Sequence, residues 1–136
     1  MGAWVWRILW IDGLAALSAG VFVLTFRRRL AALYALPLDL VTFIGLVNVC
    51  YSTFGLTLAM RTRPRIRFIV GLSAANCLWA CAFTWLAIRF RHQAGVLGLG
   101  TVLFEAAFVA VLAAIEWRNR HALAAGTRAS APERNP

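Results

Sequence analysis

The chain has no lysine, only two histidines and only five acidic residues. Charged side chains make up 14% of it, against about 25% in soluble domains, and hydrophobic ones 62%, against about 45–50%. A soluble domain of the ordinary kind is therefore excluded. The shortage of charge goes with long apolar blocks, which point to lipid as the solvent. All fourteen basic residues are arginine, and the formal charge is +9. Such a balance suits nucleic acid where the cations share one face or tract. Here they fall at the ends of the apolar blocks, as in membrane proteins, so no nucleic-acid partner is expected.

Chemistry-bearing patterns are also scarce. His92 and His121 stand at block ends without a spacing-matched cysteine or carboxylate, so neither a metal nor another cofactor is expected. Cys50, Cys77 and Cys81 lie inside apolar blocks. None forms a CxxC pair, an odd number cannot pair fully within one chain, and each reads as a small buried hydrophobe. No Ser-His-Asp, HExxH, Walker or dinucleotide signature is present. The chain is therefore expected not to be an enzyme.

What is present is four spans. Blocks at about 4–26, 38–60, 68–88 and 94–117 each approach the ~20 residues that cross ~30 Å of hydrocarbon. Backbone amides find no water in lipid, so each block should be helical. Arg27-Arg28-Arg29 is expected to close the first. Pro37 opens the second, and Asp39 favours its positive end. The run from Arg61 to Arg67, and then Arg89, Arg91 and His92, separate the rest. Connections this short make each helix antiparallel to the next. The expected fold is an all-α antiparallel four-helix transmembrane bundle over residues 1–121, with a disordered tail at 122–136. The first block reads as a retained span, because no small-x-small cleavage site precedes its arginines. Trp4, Trp6, Trp10, Trp85 and Trp117 lie near block ends as an interfacial belt, and Trp79 alone is deep.

Polar residues inside spans mark the candidate site. Glu105 lies near the middle of the fourth block, Asn48 of the second and Asn76 of the third. A mid-membrane acid costs at least a few kcal/mol unless it faces protein or water and has a partner. A neutral carboxyl donates to one carboxamide and accepts from another, so a hydrogen-bonded cluster of Glu105, Asn48 and Asn76 is predicted. Helical spacing agrees. Gly45, Asn48, Ser52, Gly55 and Ala59 share a face, as do Ser73, Asn76, Cys77, Ala80 and Thr84, and then Gly98, Thr101, Glu105 and Phe108. Small and polar faces are those that membrane helices turn toward each other. Asp12, one turn or so inside the first helix, is expected to pair with an interfacial arginine or to form an entrance carboxylate. With Ala15, Ala16 and Ala19 it marks a close-packing face. Glu116 reads as a boundary pair with Arg118 and Arg120.

The arrangement resembles a broad group of small four-helix bacterial inner-membrane proteins. The residues that carry the resemblance are Asp12-Gly13, Pro37, Asn76-Cys-Leu-Trp79 and a fourth-helix Glu, within residues 4–120. It implies an inner-membrane location and no particular activity. Fluoride channels are similar in size, and Val47-Asn48 with Ser52 and Phe54-Gly55 is superficially alike, but the third helix does not match their broken segment. Small multidrug exporters carry a first-helix carboxylate, for which only Asp12 qualifies.

Two functional readings follow. The first is an accessory or interaction subunit whose polar centre is structural and whose outer faces meet lipid, a membrane protein partner or a second copy. The alternative is a small proton-coupled transporter or ion channel using Glu105. A cavity touching Glu105 favours the second, and a dry packed interior the first. With both termini cytoplasmic, that side holds Arg7, Arg61, Arg63, Arg65, Arg67, Arg118 and Arg120, against Arg27, Arg28, Arg29, Arg89 and Arg91 opposite. The positive-inside rule then prefers cytoplasmic ends by a small margin, which leaves dual insertion and an antiparallel homodimer open.

Overall fold

A computed structural model of the chain describes residues 2–61 and 64–125, with side chains from Arg7 onward. Within them the protein is all-α. The elements are α1 (Gly2–Tyr34), α2 (Leu38–Ala59), α3 (Ile66–Phe90), α4 (Val96–Arg118) and a short α5 (Arg120–Ala125). The first four each contain a stretch long and apolar enough to cross a membrane. The expected antiparallel four-helix bundle is therefore the observed one, and the protein is a multi-pass membrane protein in contact with lipid. Outward faces carry large apolar side chains such as Trp85, Leu78, Phe104 and Val111.

The bundle is two hairpins. α1 packs along α2 and α3 along α4, whereas the hairpins meet mainly through α1 and α4, and α2 scarcely touches α3. The α1–α2 seam follows the small-residue spacing. Gly45, Asn48, Ser52, Gly55 and Ala59 are all buried, as that face predicts. Gly20 shows why small residues are needed there. A Cβ on Gly20 would lie 2.9 Å from the backbone nitrogen of Val49 and 3.0 Å from the carbonyl oxygen of Gly45. Backbones this close gain dispersion along the whole seam, a main attraction between helices when the surrounding lipid is as apolar as they are.

Apolar clusters close both ends. Leu30, Leu36, Val41, Ile44, Phe83, Ala87, Val102 and Ala106 pack together at the end away from the termini. At the other end Leu9, Leu58, Ala59, Ile69, Leu72 and Leu123 form a second cluster. Leu123 comes from α5, which folds back over α3 and α1.

Several expectations are corrected. α1 does not stop at Phe26 but runs through Arg27-Arg28-Arg29 to Tyr34. Arginine is a good helix former, and the extra turns bring Leu30 into the far-end cluster. The chain then breaks at Ala35, whose φ of 54° is left-handed, and at Pro37, the N-cap of α2. Residues 122–125 of the expected tail are helical, held by buried Leu123. Residues 126–136 lie outside the described residues, as do Arg63 and the side chains of Trp4 and Trp6. The cysteines are free and exposed on the outer helix faces rather than buried. Trp10, Trp85 and Trp117 are exposed, as a belt requires.

Candidate functional site

Because the hairpins meet chiefly at their ends, a space remains between them. It is a cavity of about 540 Å³. All four spans wall it: Asp12 to Ala19 of α1, Phe43 to Tyr51 of α2, Ala75 to Trp79 of α3, and Phe104 to Val109 of α4. These are interior positions of each span, so the cavity lies at mid-bundle height. Phe43, Leu78 and Phe104 are among its most exposed lining residues, so it opens at the side of the bundle. Trp79 lies edge-on against Phe83 with ring centroids 5.0 Å apart, which fixes one aromatic wall.

Glu105, Asn48, Asn76 and Asp12 all line this one cavity. The polar level read from helix depth is thus a shared space. The predicted hydrogen bonds are not those formed. Nδ2 of Asn48 donates to the Ile44 carbonyl of its own helix at 3.2 Å. Nδ2 of Asn76 donates to Oε2 of Glu116, also at 3.2 Å. Glu105 is half-buried and has no hydrogen-bond partner among the described residues. The reason is geometric: a gap of this size separates groups that depth and face alone would bring into contact.

Asp12 and Glu116 are also placed differently from expectation. Asp12 is 2% exposed and pairs with no arginine among the described residues; it accepts a hydrogen bond from the Tyr51 hydroxyl at 2.5 Å. Ala15, Ala16 and Ala19 form cavity wall with it, while Gly13 and Gly20 take the close contact with α2. Glu116 is fully buried, not at a boundary. The nearby Arg120 turns instead to the Trp117 carbonyl at 2.8 Å. Ser73 donates to the Ala113 carbonyl at 2.8 Å and so pins α3 to α4 beside this group. Cys77 and Thr84, placed by spacing on the α3 inner face, are exposed, and the buried set continues through Ala80, Phe83 and Ala87.

The residues that sequence reasoning missed are Tyr51 and Glu116. Both were detectable. Tyr51 lies three residues from Asn48. Glu116 is eleven residues from Glu105, about three helical turns, and so falls on nearly the same stripe of α4. No family model, curated protein or solved structure matches the chain.

Proposed function

We propose that this chain is a small, non-enzymatic membrane transporter whose site is the cavity between the hairpins, and that it takes lipophilic cations. One observation carries the reading. The mid-bundle cavity, within the ~300–1,000 Å³ of small-molecule sites, offers carboxyl groups and aromatic faces but no basic side chain. Asp12 and Glu105 attract positive charge, and the rings of Phe43, Tyr51, Trp79, Phe104 and Phe108 attract it further through their faces. The apolar remainder suits a hydrophobic body. A side opening between helices lets such a molecule enter from the bilayer. Cytoplasmic termini belong to this proposal, supported by the arginine distribution, and a bacterial inner membrane belongs to it as an expectation.

The accessory-subunit reading expects a dry, packed centre, so the cavity favours transport. The two separate in one experiment. Purified protein in nanodiscs is dialysed against tetraphenylphosphonium, with empty nanodiscs as background, and then tested for counterflow of the same cation in proteoliposomes. Saturable binding and counterflow are expected, and Glu105→Gln should weaken binding about tenfold, the size of a lost interaction of about 1.4 kcal/mol. Binding without counterflow supports a subunit that senses or presents the ligand. No protein-dependent binding overturns the site.

A further inference from the structure

The cavity has two ends, and each holds a carboxyl group. Leu9, one turn before Asp12, belongs to the apolar cluster nearer the termini. Tyr51, which donates to Oδ2 of Asp12, packs against the same cluster. Asp12 therefore marks the near end. Ala106, next to Glu105, belongs to the opposite cluster together with Ile44, and Trp79 packs against it. Glu105 therefore marks the far end. Between them α1 lines the space from Asp12 to Ala19, and α2 lines it from Tyr51 back to Phe43. At ~1.5 Å of rise per residue these walls are about 10–12 Å long.

The stretch between the ends is mainly apolar, with Ala15, Ala16 and Ala19 on one side and Val47, Leu78 and Val109 among the others. Among the described residues no arginine or histidine lines it. A carboxyl inside a span ordinarily has a partner, and Glu105 has no hydrogen-bond partner among the described residues. One small cation cannot sit on both carboxyls. Coulomb attraction falls with distance, so a single charge at one end leaves the other carboxyl without a counterion. The two ends also offer a cation different surroundings. At the far end the rings of Phe104 and Phe108 stack on the helix of Glu105, centroids 6.4 Å apart, and both line the space. At the near end Asn48 lies one turn from Tyr51 and gives its Nδ2 to the Ile44 carbonyl. Its carboxamide oxygen is left to accept from a ligand N–H.

We propose that the preferred ligand is a dication, two ammonium groups joined by an apolar chain, with one group held at Asp12 and the other at Glu105. This deepens the reading above and rests on it. Each ammonium meets one carboxyl, and the chain covers the alanine wall between them. The near ammonium has N–H groups to donate to Asp12 and to the Asn48 oxygen. The far one has the Glu105 carboxyl and the aromatic faces beside it. A ligand with one charge fills the same space but leaves one carboxyl unmatched.

The test compares octanediammonium with octylammonium, which share a chain and differ in one terminal ammonium group. Each is dialysed against the full chain in nanodiscs, with empty nanodiscs as background and tetraphenylphosphonium as a parallel probe of the cavity. If only one end seeks a cation, the second ammonium gives up water without repayment and weakens binding. With a carboxyl at each end it should strengthen binding, by about tenfold or more. Glu105→Gln and Asp12→Asn should each cut that advantage to about threefold or less. Glu105→Gln breaks no hydrogen bond among the described residues, and in Asp12→Asn the amide oxygen still accepts from Tyr51, so both variants should fold. The wild-type comparison needs neither. Octylammonium that binds as tightly as octanediammonium, or more tightly, overturns the proposal. So does an advantage that either substitution leaves intact. If tetraphenylphosphonium binds in those cases, the cavity reading stands without the dication; if none of the three cations binds, both fall.

Discussion

The α1–α2 seam and the space between the hairpins are built from the same materials and come out opposite. On the α1 side both present small residues, glycine at the seam and alanine at the cavity. Along the seam, Gly13, Gly20, Gly45 and Gly55 let two backbones approach to van der Waals contact. Between the hairpins, Ala15, Ala16 and Ala19 face Ala75 and Val109 across a cavity of about 540 Å³. The difference lies in what stands opposite. On the seam a small residue meets a complementary side chain or backbone, as Gly20 meets Val49. Between the hairpins, contacts at the ends hold the walls apart: Gly98 sits against the backbone of Tyr34 at one end, and α5 lies across α1 and α3 at the other. A small residue on a membrane helix therefore marks closeness or emptiness, according to whether its partner can follow it in.

Substitutions at the seam should have the largest effect. Gly20→Leu drives a side chain into backbone atoms of Val49 and Gly45, which cannot rotate away. Overpacking of this kind costs about 1–3 kcal/mol and sometimes more, so the loss should exceed about 2 kcal/mol. Unfolding in mixed micelles reads it; an unchanged midpoint would deny that the seam is tight. Next comes the junction between seam and cavity. Asn76→Ala removes the donor to Oε2 of Glu116 and leaves a buried carboxyl with one partner fewer, at about 1–3 kcal/mol. The same assay with Glu116→Gln as companion, which keeps an oxygen to accept from Asn76, separates loss of the bond from replacement of the carboxyl.

Much of this was readable from residues alone, for identifiable reasons. The spans follow from length and apolarity, because lipid leaves a spanning backbone only the helix. The α2 inner face follows from spacing, because Gly45 to Ala59 repeats every three or four residues against a regular neighbour. Partners were harder. Asn76 has Glu105 near its depth, yet bonds to Glu116, because which acid lies within reach depends on how far apart the hairpins stand. That distance is set by Tyr34 against Gly98 and by α5, contacts distant in sequence from the site. Glu116 was misplaced for a related reason. Its neighbours Arg118 and Arg120 suggest a boundary, but α5 folds back and adds depth at the end of α4. The three arginines after Phe26 misled in the same way, since charge marks an interface but does not stop a helix.

The smallest stability effect should occur one residue from the largest. Ala19→Leu makes the same change as Gly20→Leu, on the next position of α1, but its side chain enters the cavity. Little is displaced, and added apolar burial of about 25 cal/mol per Å² offsets any rotamer strain. The midpoint should move by less than about 1 kcal/mol. Binding should respond in the other direction: filling the wall between Asp12 and the aromatic rings should remove tetraphenylphosphonium binding. If Ala19→Leu is as damaging as Gly20→Leu, the hairpins close on each other and no cavity separates them. If it is harmless to both stability and binding, the cation sits elsewhere.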